Sequence, residues 1–264
     1  VYSEYNLHLI SQAIRAPHGI ILLTGPTGHG KSTTLHAVLN DLKNVDTKIM
    51  TAEDPVEVFN PLLVQLQVSP DQGITFASAV RSFLRQDPDV IMVGEIRDEE
   101  TAQECIRAAV TGHPVYSTIH SNDPVNTILR LQDLGIARIN ISSALVAVVS
   151  QRLVRKLCPH CKREVIVQSE KVAPEKAQYL KNEIQRVYLP QGCPQCFNGY
   201  WGRTVVAETL LLNEGIRERI NQGKIEDIAS LLKARDDYKT IKDDARRLVE
   251  EGVTSLEEIV GVIG

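Results

Sequence analysis

The sequence predicts an α/β fold built on a largely parallel sheet, and three observations predict it. Short apolar runs, closed by glycine or by acids, recur along the first half of the chain. Segments with helical spacing separate them. One apolar run leads directly into "GPTGHGKSTT" at 25–34, a glycine-rich turn closed by a lysine and a serine. Strands alternating with helices imply crossover units and hence a parallel sheet.

The elements are taken in chain order. "GIILLTG" at 19–25 is a continuous apolar run, the pattern of a strand buried on both faces. In 31–43 the apolar residues Leu35, Val38, Leu39 and Leu42 recur at helical spacing. "KIMTAED" at 48–54 reads as a short strand ending in acids, and "VQLQV" at 64–68 alternates like a half-exposed strand. A helix is predicted over 75–86, ahead of Pro88. "VIMVGE" at 90–95 is a second buried strand, 99–111 is helical, and "PVYSTIH" at 114–120 is strand-like. The pattern breaks near Cys158, where two CxxC pairs bracket a charged, weakly periodic stretch at 162–192. "RTVVAETLLL" at 203–212 reads as a strand returning to the main sheet, and 214–264 reads as helical. The expected division is a core over 1–155, a tetracysteine metal-binding segment over 156–202, and a return strand with a helical subdomain over 203–264.

Bulk properties narrow the function. Of 264 residues 43% are hydrophobic and only 5% aromatic, so the core is built from Val, Ile, Leu and Ala. The formal charge of −4 disfavours a constitutive nucleic-acid binder, which ordinarily carries a basic surplus. The longest apolar stretch, "ALVAVV" at 144–149, falls far short of the roughly 20 residues a membrane-spanning helix needs. No signal-peptide pattern is present. The chain begins with Val1 rather than Met, the expectation for a piece of a longer protein.

The motif G-x-x-x-x-G-K-[ST] is met by Gly25, Gly30, Lys31 and Ser32. Around it Pro26, Thr27, Gly28, His29 and Thr33 complete the loop. Glycines let successive amides turn inward on phosphate oxygens, and the following helix adds its positive end. Lys31 is then placed to reach the β- and γ-phosphates, with the Ser32 hydroxyl on Mg²⁺. The expected ligand is a nucleoside triphosphate with Mg²⁺. His29, at the loop tip, meets either phosphate or solvent.

Hydrolysis requires a group that orients water in line with the γ-phosphate. Glu53, Glu57 and Glu95 stand at strand ends, and in a parallel sheet the carboxyl ends face one crevice. Glu95, directly after "VIMVG", is the candidate for polarising water, with Glu53 and Glu57 as supporting acids. Position 94 is Gly where an Asp often stands, so the metal relies more on Ser32 and water. Arg81 and Arg85 share a helix face. Arg97 follows the Glu95 strand, and Arg130 lies on a later helix. Guanidinium stabilises charge on a transferring phosphoryl group, within a subunit or across a ring. His113 and His120 flank "PVYSTI", where a histidine can sense the γ-phosphate.

Cys158, Cys161, Cys193 and Cys196 form two CxxC knuckles, which together suit a tetrahedral ion. Disulfides are the rival reading, disfavoured in the reducing compartment where nucleotide-dependent enzymes work. Four thiolates leave no open position for water, so the expected zinc is structural. Cys105 reads as a small buried apolar residue.

"GPTGHGKSTT", "TAEDPVE", "RSFLRQDPDVIMVGEIRD", "TGHPVYSTIHSND", "RLVRKLCPHCK" and "GYWGRTVVAE" stand in one order along 19–209. In that order the chain resembles the secretion ATPases of type II secretion and type IV pilus assembly. The tail "GVTSLEEIVGVI" is similar too. The resemblance implies a RecA-like phosphate-loop NTPase core with a small tetracysteine zinc lobe and a C-terminal helical subdomain. It puts Lys31 and Ser32 in the Walker A motif, Glu53 and Glu57 in an acidic box, and Glu95 in Walker B. It puts His113 and His120 in a histidine box, and Arg81, Arg85, Arg97 and Arg130 on family arginines. It implies a homo-hexameric ring that hydrolyses ATP with Mg²⁺. It also implies a cytoplasmic place at the bacterial inner membrane, where a platform protein is the partner and pilins or pseudopilins are assembled. The tetracysteine module resembles secretion and extension members, and no "AIRNLIRE"-like element of retraction members is present. His29 stands where the family commonly has Ser. The family's N-terminal domains are not in this stretch, so isolated activity is expected to be low. Two other classes compete with this reading. One is a nucleic-acid-translocating motor for DNA uptake or transfer, disfavoured by the acidic charge. The other is a zinc-based docking module carrying a silent nucleotide fold.

Overall fold

The computed structural model describes residues 2–264. In chain order its elements are α1 (Glu4–Ala13), β1 (Gly19–Thr24), α2 (Lys31–Leu42), β2 (Ile49–Glu53), β3 (Leu63–Gln67), α3 (Phe76–Phe83) and β4 (Val90–Ile96). Next come α4 (Glu99–Val110), β5 (Pro114–Ile119), α5 (Pro124–Asp133), α6 (Arg138–Ala144), β6 (Leu145–Leu157) and β7 (Arg163–Gln168). The chain ends with α7 (Pro174–Ala177), β8 (Ile184–Leu189), β9 (Tyr200–Leu211), α8 (Glu214–Gln222), α9 (Glu226–Lys233), α10 (Ile241–Glu250) and α11 (Leu256–Ile263). Two compact units share these elements. One comprises 8–150 and 209–236, the other 1–7, 151–208 and 237–264. Among the described residues no helix is long and apolar enough to cross a membrane.

In the first unit the strands run in the order β3-β2-β4-β5-β1, followed by the first residues of β6. β1 runs parallel to β5 and to β6, β2 parallel to β3 and β4, and β4 parallel to β5. Every residue of β1 and β2 is buried, as continuous apolar runs require of central parallel strands. β3, at the sheet edge, buries Leu63 and exposes Val64, in keeping with its alternating sequence. Helix starts are set locally. Thr75 and Ser78 form a reciprocal capping box on α3. Asp98 accepts from Thr101 N on α4, and Asp123 from Asn126 N on α5, with Pro124 in the first turn. α3 ends at Phe83, short of the predicted 86, because the chain turns through Asp87 at φ 51° to enter Pro88. The "ALVAVV" run straddles the end of α6 and the start of β6.

The second unit contains the stretch that looked only charged and weakly periodic. It forms an antiparallel β7–β8 pair with Val165 opposite Val187. Val165, Val167 and Val187 pack inward with Val154, Leu248 and Ile259. On the other face Ile166 and Ile184 are 72% and 62% exposed, which blurs the alternation that would have revealed the strands. Glu258 of α11 accepts from the backbone N–H of Arg155 at 2.8 Å and from its guanidinium at 2.8 and 2.5 Å. That fork-on-carboxylate contact ties β6 to α11. Thr240 and Asp243 form a second capping box on α10.

At the centre of the parallel sheet Leu22 is fully buried. Leu22→Ala should destabilise the protein by about 2–5 kcal/mol, read by denaturant unfolding. A loss under 1 kcal/mol, roughly the cost of a surface change, would contradict a close-packed β1.

Candidate functional site

β1 ends at Thr24, and the backbone then loops through Gly25, Gly28 and Gly30 at φ 143°, 80° and 78°. Those values exclude most side-chain-bearing residues, and Gly30 passes the chain straight into α2. The loop closes on itself through Lys31. That residue is 9% exposed, and its ammonium donates to Gly25 O at 2.8 Å and Pro26 O at 3.0 Å. Thr27, Gly28, Gly30, Lys31, Ser32 and Thr33 line a cleft of about 520 Å³. The opposite wall holds Glu53, Asp54, Glu57, Phe76, Gly94, Glu95, Arg97, Thr118 and His120. The helix N-terminus, the inward loop and a cation make one wall suited to phosphate. Acids and a histidine make the other.

Glu95 is presented by an irregularity in the ladder. The β4–β5 register shifts between Val93 and Ile96. There the Ser117 hydroxyl donates to Val93 O at 2.7 Å and the Thr118 hydroxyl to Gly94 O at 2.8 Å. Side chains thus take carbonyls that the ladder leaves, and the strand end is turned into the cleft. The Glu95 carboxylate is then clamped from two sides. Oε2 accepts from Arg97 Nε at 2.6 Å, and Oε1 lies 2.6 Å from His120 Nε2. The Glu95 hydrogen bond holds the Arg97 guanidinium above its ordinary pKa against the cost of desolvation. A carboxylate offers about four lone-pair sites, so two remain for water.

Glu53 is held differently. It is 4% exposed. Oε1 accepts from the Thr51 hydroxyl at 2.6 Å and Gln65 Nε2 at 2.9 Å, and Oε2 lies 3.1 Å from His36 Nε2. Thr51 and Glu53 share a strand face, and Gln65 is directly opposite Thr51 in the β2–β3 register. Sequence reasoning missed Thr51, Gln65, His36 and Phe76. Thr51 was accessible from alternation along the predicted strand, Gln65 only through strand pairing, and His36 only by noting that it follows Lys31 on the same helix.

The remaining candidates divide. Gly25, Pro26, His120 and Arg130 line a second hollow of about 500 Å³, and Arg130 meets Glu95, Arg97 and His120 around a third. His29 is half-buried in the loop and does not line the cleft. Arg81 points to α4, pairing with Glu100 at 2.8 Å and Glu104 at 3.3 Å. Neither Arg81 nor Arg85 lines the cleft. His113 precedes β5 and His120 follows it, so six residues, roughly 20 Å of strand, separate them. His113 Nδ1 faces Ala108 O at 3.3 Å. Cys105 is fully buried, as expected.

In the other unit the four cysteine sulfurs lie within 4.8 Å of one another. Cys158 and Cys193 are 3.9 Å apart, and Cys161–Cys196 and Cys193–Cys196 are each 3.7 Å. A tetrahedron with metal–sulfur bonds of ~2.3 Å has edges of roughly 3.8 Å, so the donor set fits zinc, and the separations exclude S–S bonds. Desolvation opposes the Cys196 thiolate, but backbone groups of Cys193 and Gly199 and the neighbouring thiols outweigh it and bring its pKa down to about 7.

A family model described as "Type II/IV secretion system protein" matches residues 1–261. The chain belongs to the type II/IV secretion system protein family. Type II secretion system protein E of Aeromonas hydrophila is 44% identical over 97% of this chain and 51% of its own length. The type IV pilus assembly ATPase PilB of Thermus thermophilus is 45% identical over 94% of this chain and 28% of its own. The chain thus spans about half the length of its type II relatives. Among solved structures, the pilus retraction motor PilT with bound ADP superposes with a TM-score of 0.71 at 30% identity, over 98% of this chain and 66% of that one. The expected fold class is borne out: an α/β, RecA-like phosphate-loop core with a tetracysteine lobe and C-terminal helices.

In this member of the secretion family the glycine at 94 has a steric cause. A Cβ there would stand 3.3 Å from Ala52 O and 3.5 Å from the Phe76 ring. The Phe76 contact is ordinary, and the tight one is the Ala52 carbonyl, a backbone atom that would have to give by a few tenths of an ångström. Gly94→Asp should destabilise the protein by about 1–3 kcal/mol, measured by thermal unfolding. An unchanged melting temperature would show that the backbone at Ala52 yields freely.

Proposed function

We propose that this chain binds ATP in the phosphate-loop cleft and hydrolyses it. The observation that carries the reading is the convergence on one cleft of the loop with Lys31 and of Glu95 clamped between Arg97 and His120. The family's ATPase relatives support it. Phosphoryl transfer asks little covalent chemistry of a protein; it asks for position and for charge. The backbone N–H groups of the loop between Thr27 and Thr33 and the Lys31 ammonium hold the phosphates. The Ser32 hydroxyl would hold Mg²⁺, which supplies neutralisation of the phosphate charge when bound. Glu95 orients water toward the γ-phosphorus; a P–O bond to water forms as the bond to the β-phosphate oxygen breaks, leaving ADP and phosphate. Glu53 and Glu57 support that geometry, and Arg97, Arg130 and His120 answer the charge that shifts. Arg81 and Arg85 enter only across a subunit interface, toward a neighbour's nucleotide.

The same reading places the chain in a homo-hexameric motor at the cytoplasmic face of a bacterial inner membrane. There ATP turnover drives pilin or pseudopilin assembly through a platform protein. Cys158, Cys161, Cys193 and Cys196 hold a structural zinc that keeps the small lobe closed.

Glu95→Gln keeps the size of the side chain and removes its charge. Turnover should fall by about 100-fold or more while ATP stays bound, measured by phosphate release alongside nucleotide retention. Wild-type turnover in that variant would remove Glu95 from the water-orienting role. Elemental analysis of the purified protein should find about one zinc per chain. Oxidised cysteines without metal would refute the zinc assignment.

A further inference from the structure

Both oxygens of Glu53 are engaged, but by different parts of the fold. Thr51 and Gln65 hold Oε1, and both belong to the sheet, on β2 and β3. His36 meets Oε2, and it stands on α2, the helix that begins with Lys31 and Ser32. His36 also lines the cleft. The terminal torsion of a glutamate is broad and roughly two-fold, so anchoring one oxygen leaves the other loosely set. A donor on Oε2 fixes that rotation. Here the donor comes from the element that carries the phosphate loop.

We propose that His36 is a positioning residue for nucleotide hydrolysis: by holding Glu53 Oε2 it fixes the sheet's acid relative to the phosphate loop. This role rests on the chain's hydrolysis of ATP. His36 itself does not need to touch the nucleotide. Its effect passes through Glu53, and the Glu95 clamp is built from other residues. A histidine serving packing alone would act on stability instead. The side chain is only 18% exposed, so a packing effect has to be separated from a positional one.

The test compares His36→Leu, which keeps bulk without a donor, with His36→Gln, whose amide can still donate. Steady-state ATP hydrolysis with Mg²⁺ and thermal unfolding are measured on both. His36→Leu should lower kcat by about 10- to 100-fold with KM changed less than about two-fold, and His36→Gln should recover most of it. In a Glu53→Gln background His36→Leu should cost less than about two-fold more, because its partner is already lost. A kcat unchanged in His36→Leu, or the same fold-loss in both backgrounds, overturns the proposal. So does a lowered melting temperature with kcat intact, which assigns His36 to packing. No ATP turnover by the unsubstituted protein would overturn the hydrolysis reading itself.

Discussion

The site depends on one constraint: a parallel sheet buried on both faces delivers its carboxyl ends to a single edge. β1, β2, β4 and β5 are buried and mutually parallel through the ladder. The residues just beyond each strand therefore converge without any long-range design of the loops. Thr24 leads into the phosphate loop, Glu53 closes β2, Glu95 lies near the end of β4, and His120 comes directly after β5. Thr24 ties this edge together by donating to Ser121 O at 2.6 Å.

Within that frame the two acids are treated differently. Glu53 is buried and served by neutral hydroxyl and amide donors as well as a histidine, an arrangement that satisfies a desolvated carboxylate. Glu95 is held by Arg97 and His120, whose side chains are 59% and 53% exposed. Solvent screening keeps such contacts weak, so they can exchange when phosphate charge enters. A fixed acid beside an exchangeable one suits a site that must hold ground-state geometry and then respond.

Much of this was legible in the sequence because it is local. Glycines at 25, 28 and 30 dictate the loop wherever a strand precedes and a helix follows. Glu95 was legible as the acid after an apolar run. Other parts depended on pairings that spacing does not carry. Gln65 reaches Glu53 only because β3 lies beside β2 in one register. Arg81 was visible as a cation, but its acids on α4 were not. The strand between His113 and His120 was legible, and with it the separation that puts them at opposite ends of β5. Ile166 and Ile184, apolar yet exposed, masked a strand pair. The tetracysteine cluster shows the converse: its two knuckles were plain in the sequence, while its closure to metal-binding distance came from the fold.

The central claim is that the amide-lined loop grips the phosphates of a nucleotide. Calorimetric titration with Mg²⁺ and a non-hydrolysable ATP analogue, and separately with ADP, tests it most directly. Saturable heat with about one nucleotide per chain is expected. No heat of association for either nucleotide, with the protein folded, would contradict the account.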